Sequence, residues 1–213
     1  MAGQWLDFTS EEILKSSTPA VGGYSFCSPT GKGVFELCIQ KTSHPVSSWL
    51  FSPSANIGDN VLIGKASGRC LTIDTRLLNT SPPEVYEEAS RTYSSKMGNR
   101  VMPSKEFVCI AGGTGITPLI SIIRTLKQES NNVKTAIYHG IRHRVTGLLF
   151  ESEIPMDHIF VSSEGKRMNF TDLGKKHGPE ANYYICGPKH FMDAAIKELQ
   201  EVGCTRISYE NWW

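Results

Sequence analysis

Two rhythms of apolar and polar positions divide the chain. Up to about Ser67 the apolar residues come in short runs broken by turn residues, at Gln4–Phe8, Val21–Cys27, Val34–Lys41 and Asn60–Ala66. Ser28-Pro29-Thr30-Gly31 forms a turn between the second and third runs. This pattern predicts antiparallel β structure, with one helix-like interlude at Val46–Phe51 whose Ser47 and Ser48 suit a first turn. Thr75–Lys105 holds Pro82-Pro83, several charges and little periodicity, which predicts a linker or surface excursion. From Phe107 onward strand, turn and helix alternate. The predicted strands are Phe107–Ala111, Lys134–His139, His158–Ser162, Asn182–Cys186 and Arg206–Tyr209. Between them Leu119, Ile120, Ile122, Ile123 and Leu126 make one helical face, and Phe191, Ala194, Ala195, Lys197, Glu198 and Leu199 another. The expected fold class is α/β plus β. A partial antiparallel β-barrel at 1–74 and a linker or excursion at 75–105 precede a five-stranded parallel doubly wound sheet at 106–213.

At 213 residues and 23.6 kDa the chain can bury a sizeable core without staples. Lys and Arg number 22 against 21 Asp and Glu, too balanced for nucleic-acid binding or a polybasic membrane anchor, so small molecules are the expected partners. The longest uncharged stretch, Phe107–Ile123, is broken by glycines and Pro118 and predicts no membrane span. Near the amino end Gln4, Asp7, Glu11 and Glu12 give no targeting signal. That predicts a cytoplasmic location, or a mitochondrial one if the chain is an amino-terminally truncated form. The 6 cysteines show no CxxC pair, and most read as buried free thiols in a reducing compartment. His139, His143 and His158 lack metal-ligand spacing and read as strand-end or surface histidines.

The first chemical signal follows the strand Phe107–Ala111, at Gly112-Gly113-Thr114-Gly115-Ile116-Thr117-Pro118. Glycines let the backbone turn sharply and approach a pyrophosphate, Thr117 can cap the next helix, and Pro118 suits a first turn, where no N–H is needed. The helix start then offers N–H groups and a positive dipole end to an anion. Pro118 stands where the Rossmann fingerprint has its third glycine, and a tight turn without ligand is the other reading. Tyr183-Tyr184-Ile185-Cys186-Gly187-Pro188 is a second strand exit of the same kind, and two such exits on one parallel sheet point to one crevice. Cys186 is either a mere strand-end thiol or a small group that lets a nicotinamide ring lie close.

These two segments, with Ile-Ser-Tyr-Glu-Asn-Trp-Trp at 207–213, resemble the nicotinamide half of the ferredoxin–NADP reductase superfamily in order and spacing. Gly140-Ile141-Arg142, ahead of Leu148-Leu149-Phe150-Glu151, is also similar. The resemblance implies a flavin-type barrel followed by an NAD-binding domain. Gly112, Gly113, Thr114, Gly115, Ile116 and Thr117 would hold the pyrophosphate. Gly187 and Pro188 would flank the nicotinamide, with Cys186 against it and Trp212 shielding the flavin face; a terminal Trp pair also serves to pin a chain end to a core.

The family's Arg-x-Tyr-Ser strand and Gly-x-x-Ser helix start correspond to Gly22-Gly23-Tyr24-Ser25 and His44-Pro45-Val46-Ser47. Tyr24, Ser25 and Ser47 would then meet the flavin, while Gly22 removes the phosphate-binding cation and His44 crowds the helix start. Losing a charge-assisted contact to phosphate costs about 1.5–3 kcal/mol, so FAD is expected to bind weakly or not at all. Gly3-Gln4 matches a strand well inside the family's barrel, so its first strands are expected to be missing. The implied function is a flavin-dependent NAD(P)H oxidoreductase passing hydride between a nicotinamide dinucleotide and FAD, its electron acceptor unknown. NADH is expected over NADPH, because Ser162-Ser163 lacks the arginine that reads a 2′-phosphate, although Lys166 and Arg167 lie close in sequence. A non-enzymatic NAD(H)-binding module with a degenerate flavin domain, or a structural subunit, are the competing readings. A bound yellow chromophore separates the first from these two.

Overall fold

In this computed structural model the described residues are 2–29, 31, 33–68, 71, 73, 105–129 and 133–210. The excursion over 75–104, Trp212 and Trp213 lie outside them.

Leu6 and Phe8 alternate inward along β1 (Trp5–Ser10), and Ser10, the last residue of that strand, accepts the N–H of Ile13 at 3.2 Å to cap α1 (Glu11–Leu14). On one side β1 pairs antiparallel with β2 (Gly22–Ser25), placing Leu6 opposite Tyr24 and Phe8 opposite Gly22. A short helix, α2 (Pro45–Leu50), packs Val46 and Trp49 onto Leu6, Phe8 and Ile13. Its first-turn serines tie it to the preceding segment. Ser47 Oγ donates to the Gln40 carbonyl at 2.9 Å and accepts the Thr42 N–H at 2.8 Å. On the other side of β1 runs β3 (Val61–Ile63), an edge strand exposed along its whole length.

Val34–Lys41, expected as a strand, instead makes a single bridge, Leu37 to Phe26, with the Cys27 N–H bonded to the Glu36 carbonyl at 2.8 Å. An apolar run becomes a strand only where a partner satisfies its backbone, and here one edge supplies one bridge.

β4 (Glu106–Gly112) is buried from Phe107 to Gly112, as a strand covered on both faces should be. Phe107, Cys109 and Ala111 meet the core of α3 (Ile116–Glu129). β5 (Lys134–Ile141) lies beside β4, and a short α4 (Arg144–Gly147) leads toward β6 (Ile159–Val161). Val108 and Ile110 face the opposite core, built by α5 (Phe170–His177) and by α6 (Lys189–Glu201), which follows β7 (Asn182–Cys186). With β8 (Ile207–Tyr209) the parallel sheet reads β6-β5-β4-β7-β8. All five expected strands form, helices cover both faces, and a small antiparallel sheet precedes them.

The two parts share a core. Ala2, Cys27, Leu71 and Ile73 are buried with the apolar face of α3. Above them Arg124 donates to the Cys27 carbonyl at 2.9 Å and to Glu36 at 3.0 Å while holding Glu153 through two bonds of 2.9 and 2.6 Å. Ser121 Oγ donates to the Ser28 carbonyl at 2.7 Å from within that contact. Among the described residues no helix is long and apolar enough to cross a membrane.

Candidate functional site

β5 leaves β4 on one side and β7 joins it on the other, so the strand order reverses at β4 and opens a crevice at the carboxyl ends of β4 and β7. Both glycine-containing exits meet there. A Cβ on Gly115 would stand 2.3 Å from the Cys186 carbonyl oxygen, and one on Gly187 would stand 2.9 Å from the Gly112 Cα. Glycine at 115 and 187 is therefore required by the crossing of the two loops, whether or not a phosphate lies there. Gly113 is the contrasting position. Its φ of +55° is left-handed, and beyond its chain neighbours no described residue lies within 4 Å of where its Cβ would be.

Gly113–Gly115 form a 3-10 turn that runs into α3 at Ile116, which is buried. Thr117 consequently sits inside the first turn of the helix and does not occupy the expected cap. Its hydroxyl donates to the Thr114 carbonyl at 3.0 Å. That carbonyl, four residues before Pro118, is the one a proline without N–H leaves unserved, so the hydroxyl replaces the missing backbone donor. The 14-residue helix thus begins, with its positive end, at this crevice.

Two further side chains shape this crevice, and neither was expected there. The Phe191 ring lies about a van der Waals contact from three glycines at adjacent strand ends, with 3.0 Å to a Cβ on Gly112, 3.1 Å on Gly187 and 3.2 Å on Gly140. It stands edge-on to Phe170 at 5.2 Å. His139, expected as a strand-end or surface histidine, is at the end of β5 but wholly buried, and its Nε2 lies 2.8 Å from the Gly113 carbonyl. Burial holds this imidazole below its ordinary pKa, and its Nδ1 has no hydrogen-bond partner among the described residues. The signal was available: His139 shares strand parity with Ile137 and Ile141, the core face beneath α3.

At the next strand exit the Ser163 N–H bonds the Arg142 carbonyl at 3.1 Å, and Arg144 grips Glu164 through two contacts of 3.3 Å. Arg144 and Lys166 both draw the Glu164 carboxylate below its usual pKa.

In the amino-terminal sheet Gly22, Tyr24 and Ser25 lie on β2, and Ser47 lies on α2. Tyr24, expected to stack on a flavin, lies against Gly22, where a Cβ would meet its ring at 2.6 Å, and edge-on to Phe8 at 6.1 Å. The ring thus fills the space in which a side chain at position 22 would begin. Ser47 spends its hydroxyl on Gln40 and Thr42, and His44 at the α2 start makes no side-chain cap. These residues do not fit a firmly held FAD pyrophosphate: the cation, the glycine and the serine hydroxyl are each missing or engaged.

The terminal segment contributes one group that the sequence reading passed over. Glu210 follows β8 on the same carboxyl edge and bonds Trp5; burial raises its pKa to about 7, and its Oε2 has no hydrogen-bond partner among the described residues. Trp212, expected beside it as a flavin shield, lies outside the described residues.

Residues 109–156 match the family model of the oxidoreductase NAD-binding domain. Across its whole length the chain is 27% identical over 256 residues to oxidoreductase NAD-binding domain-containing protein 1 of Xenopus laevis and covers 70% of that protein. It superposes on phthalate dioxygenase reductase with a TM-score of 0.70 at 20% identity, covering 99% of this chain and 57% of that one. With a ferredoxin NADP+ reductase from Neisseria gonorrhoeae, solved with bound FAD and NADP, the TM-score is 0.66 at 18% identity, covering 100% of this chain and 87% of the other. The fold is that of the ferredoxin–NADP reductases. The chain spans about a quarter, 24%, of the larger CYP116B46 of Tepidiphilus thermophilus, which it also matches. Of the two sides of the crevice, Gly113 lies within the segment matched by the oxidoreductase NAD-binding domain model.

Proposed function

We propose that this chain binds a nicotinamide dinucleotide across the carboxyl edge of the parallel sheet and acts as the nucleotide-binding part of an NAD(P)H oxidoreductase. The observation that carries the reading is the left-handed, sterically open Gly113 at the start of a 14-residue helix, set against the Cys186–Gly187 exit at the reversal of strand order. The pyrophosphate lies over Gly112–Thr117 and meets N–H groups of Thr114 and the helix start. Gly187 and Pro188 leave a flat approach for the nicotinamide, and the small Cys186 thiol at the strand end lets the ring come close. NADH is the preferred form, because Glu164 already engages Arg144 and Lys166 beside the position of a 2′-phosphate.

When bound, a flavin would supply the hydride-accepting chemistry. Tyr24 against Gly22 and the engaged Ser47 favour weak flavin retention and lend weight to a second reading, a nucleotide-binding module without its own redox turnover. Isothermal titration of the purified chain with NADH tests the first part, and absence of binding refutes it. NADH oxidation followed against increasing FAD separates the two readings: turnover that rises with FAD supports the oxidoreductase, and a flat response supports the module.

A further inference from the structure

We propose that His139 is a positioning residue of the dinucleotide loop, holding the Gly113 carbonyl inward so that the next peptide N–H, that of Thr114, faces the nucleotide pyrophosphate. This rests on the reading of the crevice given above and names a residue through which it is set. The Gly113 carbonyl can only accept, so the imidazole nitrogen 2.8 Å from it must carry the proton, which leaves Nδ1 bare. Full burial without a partner at Nδ1 favours the same neutral form, since a second proton there would have no acceptor. In a trans peptide the carbonyl of one residue and the N–H of the next point in opposite directions. A hydrogen bond that pulls the Gly113 oxygen toward β5 therefore turns the Thr114 N–H away from that strand, in a turn where a Cβ on Gly113 would meet no described residue within 4 Å beyond its chain neighbours. Gly113 with its φ of +55° is the only residue of the turn in the left-handed region, and its carbonyl accepts the Ile116 N–H within the turn as well as the His139 proton, so His139 reinforces the orientation of a peptide that glycine leaves free to rotate.

The test titrates the full chain with NAD+ by calorimetry in three forms: unsubstituted, His139→Phe and His139→Gln. A glutamine amide reaches about as far as Nε2 and keeps a donor, whereas phenylalanine fills the space and has none. Expected is a loss of about tenfold in NAD+ affinity for His139→Phe, the usual worth of one such hydrogen bond, and recovery to within about threefold for His139→Gln. A folded His139→Phe that binds as well as the parent, or a glutamine variant as weak as phenylalanine, overturns the role of His139 and leaves the crevice reading standing. A parent chain that takes up no NAD+ overturns both. Should His139→Phe not fold, histidine 15N spectra of the parent decide: a proton on Nε2 with Nδ1 bare supports the proposal, and a proton on Nδ1 overturns it.

Discussion

A Cβ on Gly115 would come within 2.3 Å of the Cys186 carbonyl oxygen, backbone against backbone across 71 residues of sequence. The nucleotide loop and the nicotinamide exit are thus wedged against each other before any ligand enters. Two glycines of one short motif consequently have different duties, Gly115 to let the loops cross and Gly113 to leave room above them.

Substitution separates those duties. Gly115→Val must displace main chain and is expected to cost several kcal/mol or to prevent folding, in the range of severe core disruptions. Gly113→Ala meets no atom but holds a side chain at positive φ, a cost of about 1–2 kcal/mol, and its main effect is expected on NAD+ affinity. Thermal melts and calorimetry on both variants check this. A Gly115→Val protein that melts with the parent would show that the loops do not cross so closely.

The purified chain is expected to carry little or no FAD, because nothing on β2 or at the start of α2 offers a charge to its pyrophosphate. Gly22→Arg should fold. The atoms it would push are the outer end of the Tyr24 ring, which can swing about its side-chain bonds, so the arginine enters as the ring moves out. FAD affinity is expected to rise about tenfold to a hundredfold, read by quenching of flavin fluorescence. A stoichiometric yellow parent protein would refute the argument.

Cofactor choice should turn on Glu164. Its replacement by glutamine leaves Arg144 and Lys166 available to a 2′-phosphate, and NADPH affinity relative to NADH is expected to rise about twofold to fivefold, as for one exposed charge pair. Titration of both nucleotides against both proteins measures the ratio. An unchanged ratio would place the 2′ position elsewhere.

Glu210 predicts a pH dependence of stability. Its carboxyl is raised to about 7 by burial, so the folded state favours the protonated form. The associated stability is fully present below about pH 4.5, the ordinary value, and is lost as the pH rises through about 7. Glu210→Gln should therefore melt with the parent at pH 5 and above it at pH 8. The shift alone corresponds to roughly 3 kcal/mol, and screening at this part-exposed site brings the expected gain to about 1–2 kcal/mol. Melts across that range measure it, and a parallel pH profile in both proteins would sink the idea.

Among the described cysteines Cys38 is expected to alkylate first at neutral pH. The Cys27 thiol donates to its sulfur and lowers its pKa, while Cys27 and the fully buried Cys109 are pushed upward. Iodoacetamide labelling followed by peptide mass analysis ranks them; faster labelling of Cys109 would contradict the burial.

The parallel sheet was legible because strands such as Phe107–Ala111 are apolar at every position, a pattern that needs cover on both faces and leaves few alternatives. The helix face on α3 followed from spacing and the two strand exits from their glycines, while on α6 the expected face included Lys197, which is exposed, and missed the buried Met192. Val34–Lys41 misled because strand propensity is local while its partner is not. Thr117 was placed one turn early, since a 3-10 turn ahead of a helix has no distinct sequence mark. The duty of Gly115 could not be read at all, for the group it must clear is the Cys186 backbone, and backbone atoms leave no trace in composition. His139 is legible in its parity along β5, although a titratable side chain is more often found at the surface than in a core.

Arg124 spans both parts of the molecule, bonding Cys27 and Glu36 on one side and Glu153 on the other over a common apolar core. Cutting the chain between these parts would strand a half-buried guanidinium and strip the cover from α3, so neither piece should behave as an autonomous module. Unfolding is then one cooperative event, and slowed amide exchange on adding NAD+ should reach β1 and β2 as well as the sheet that holds the nucleotide.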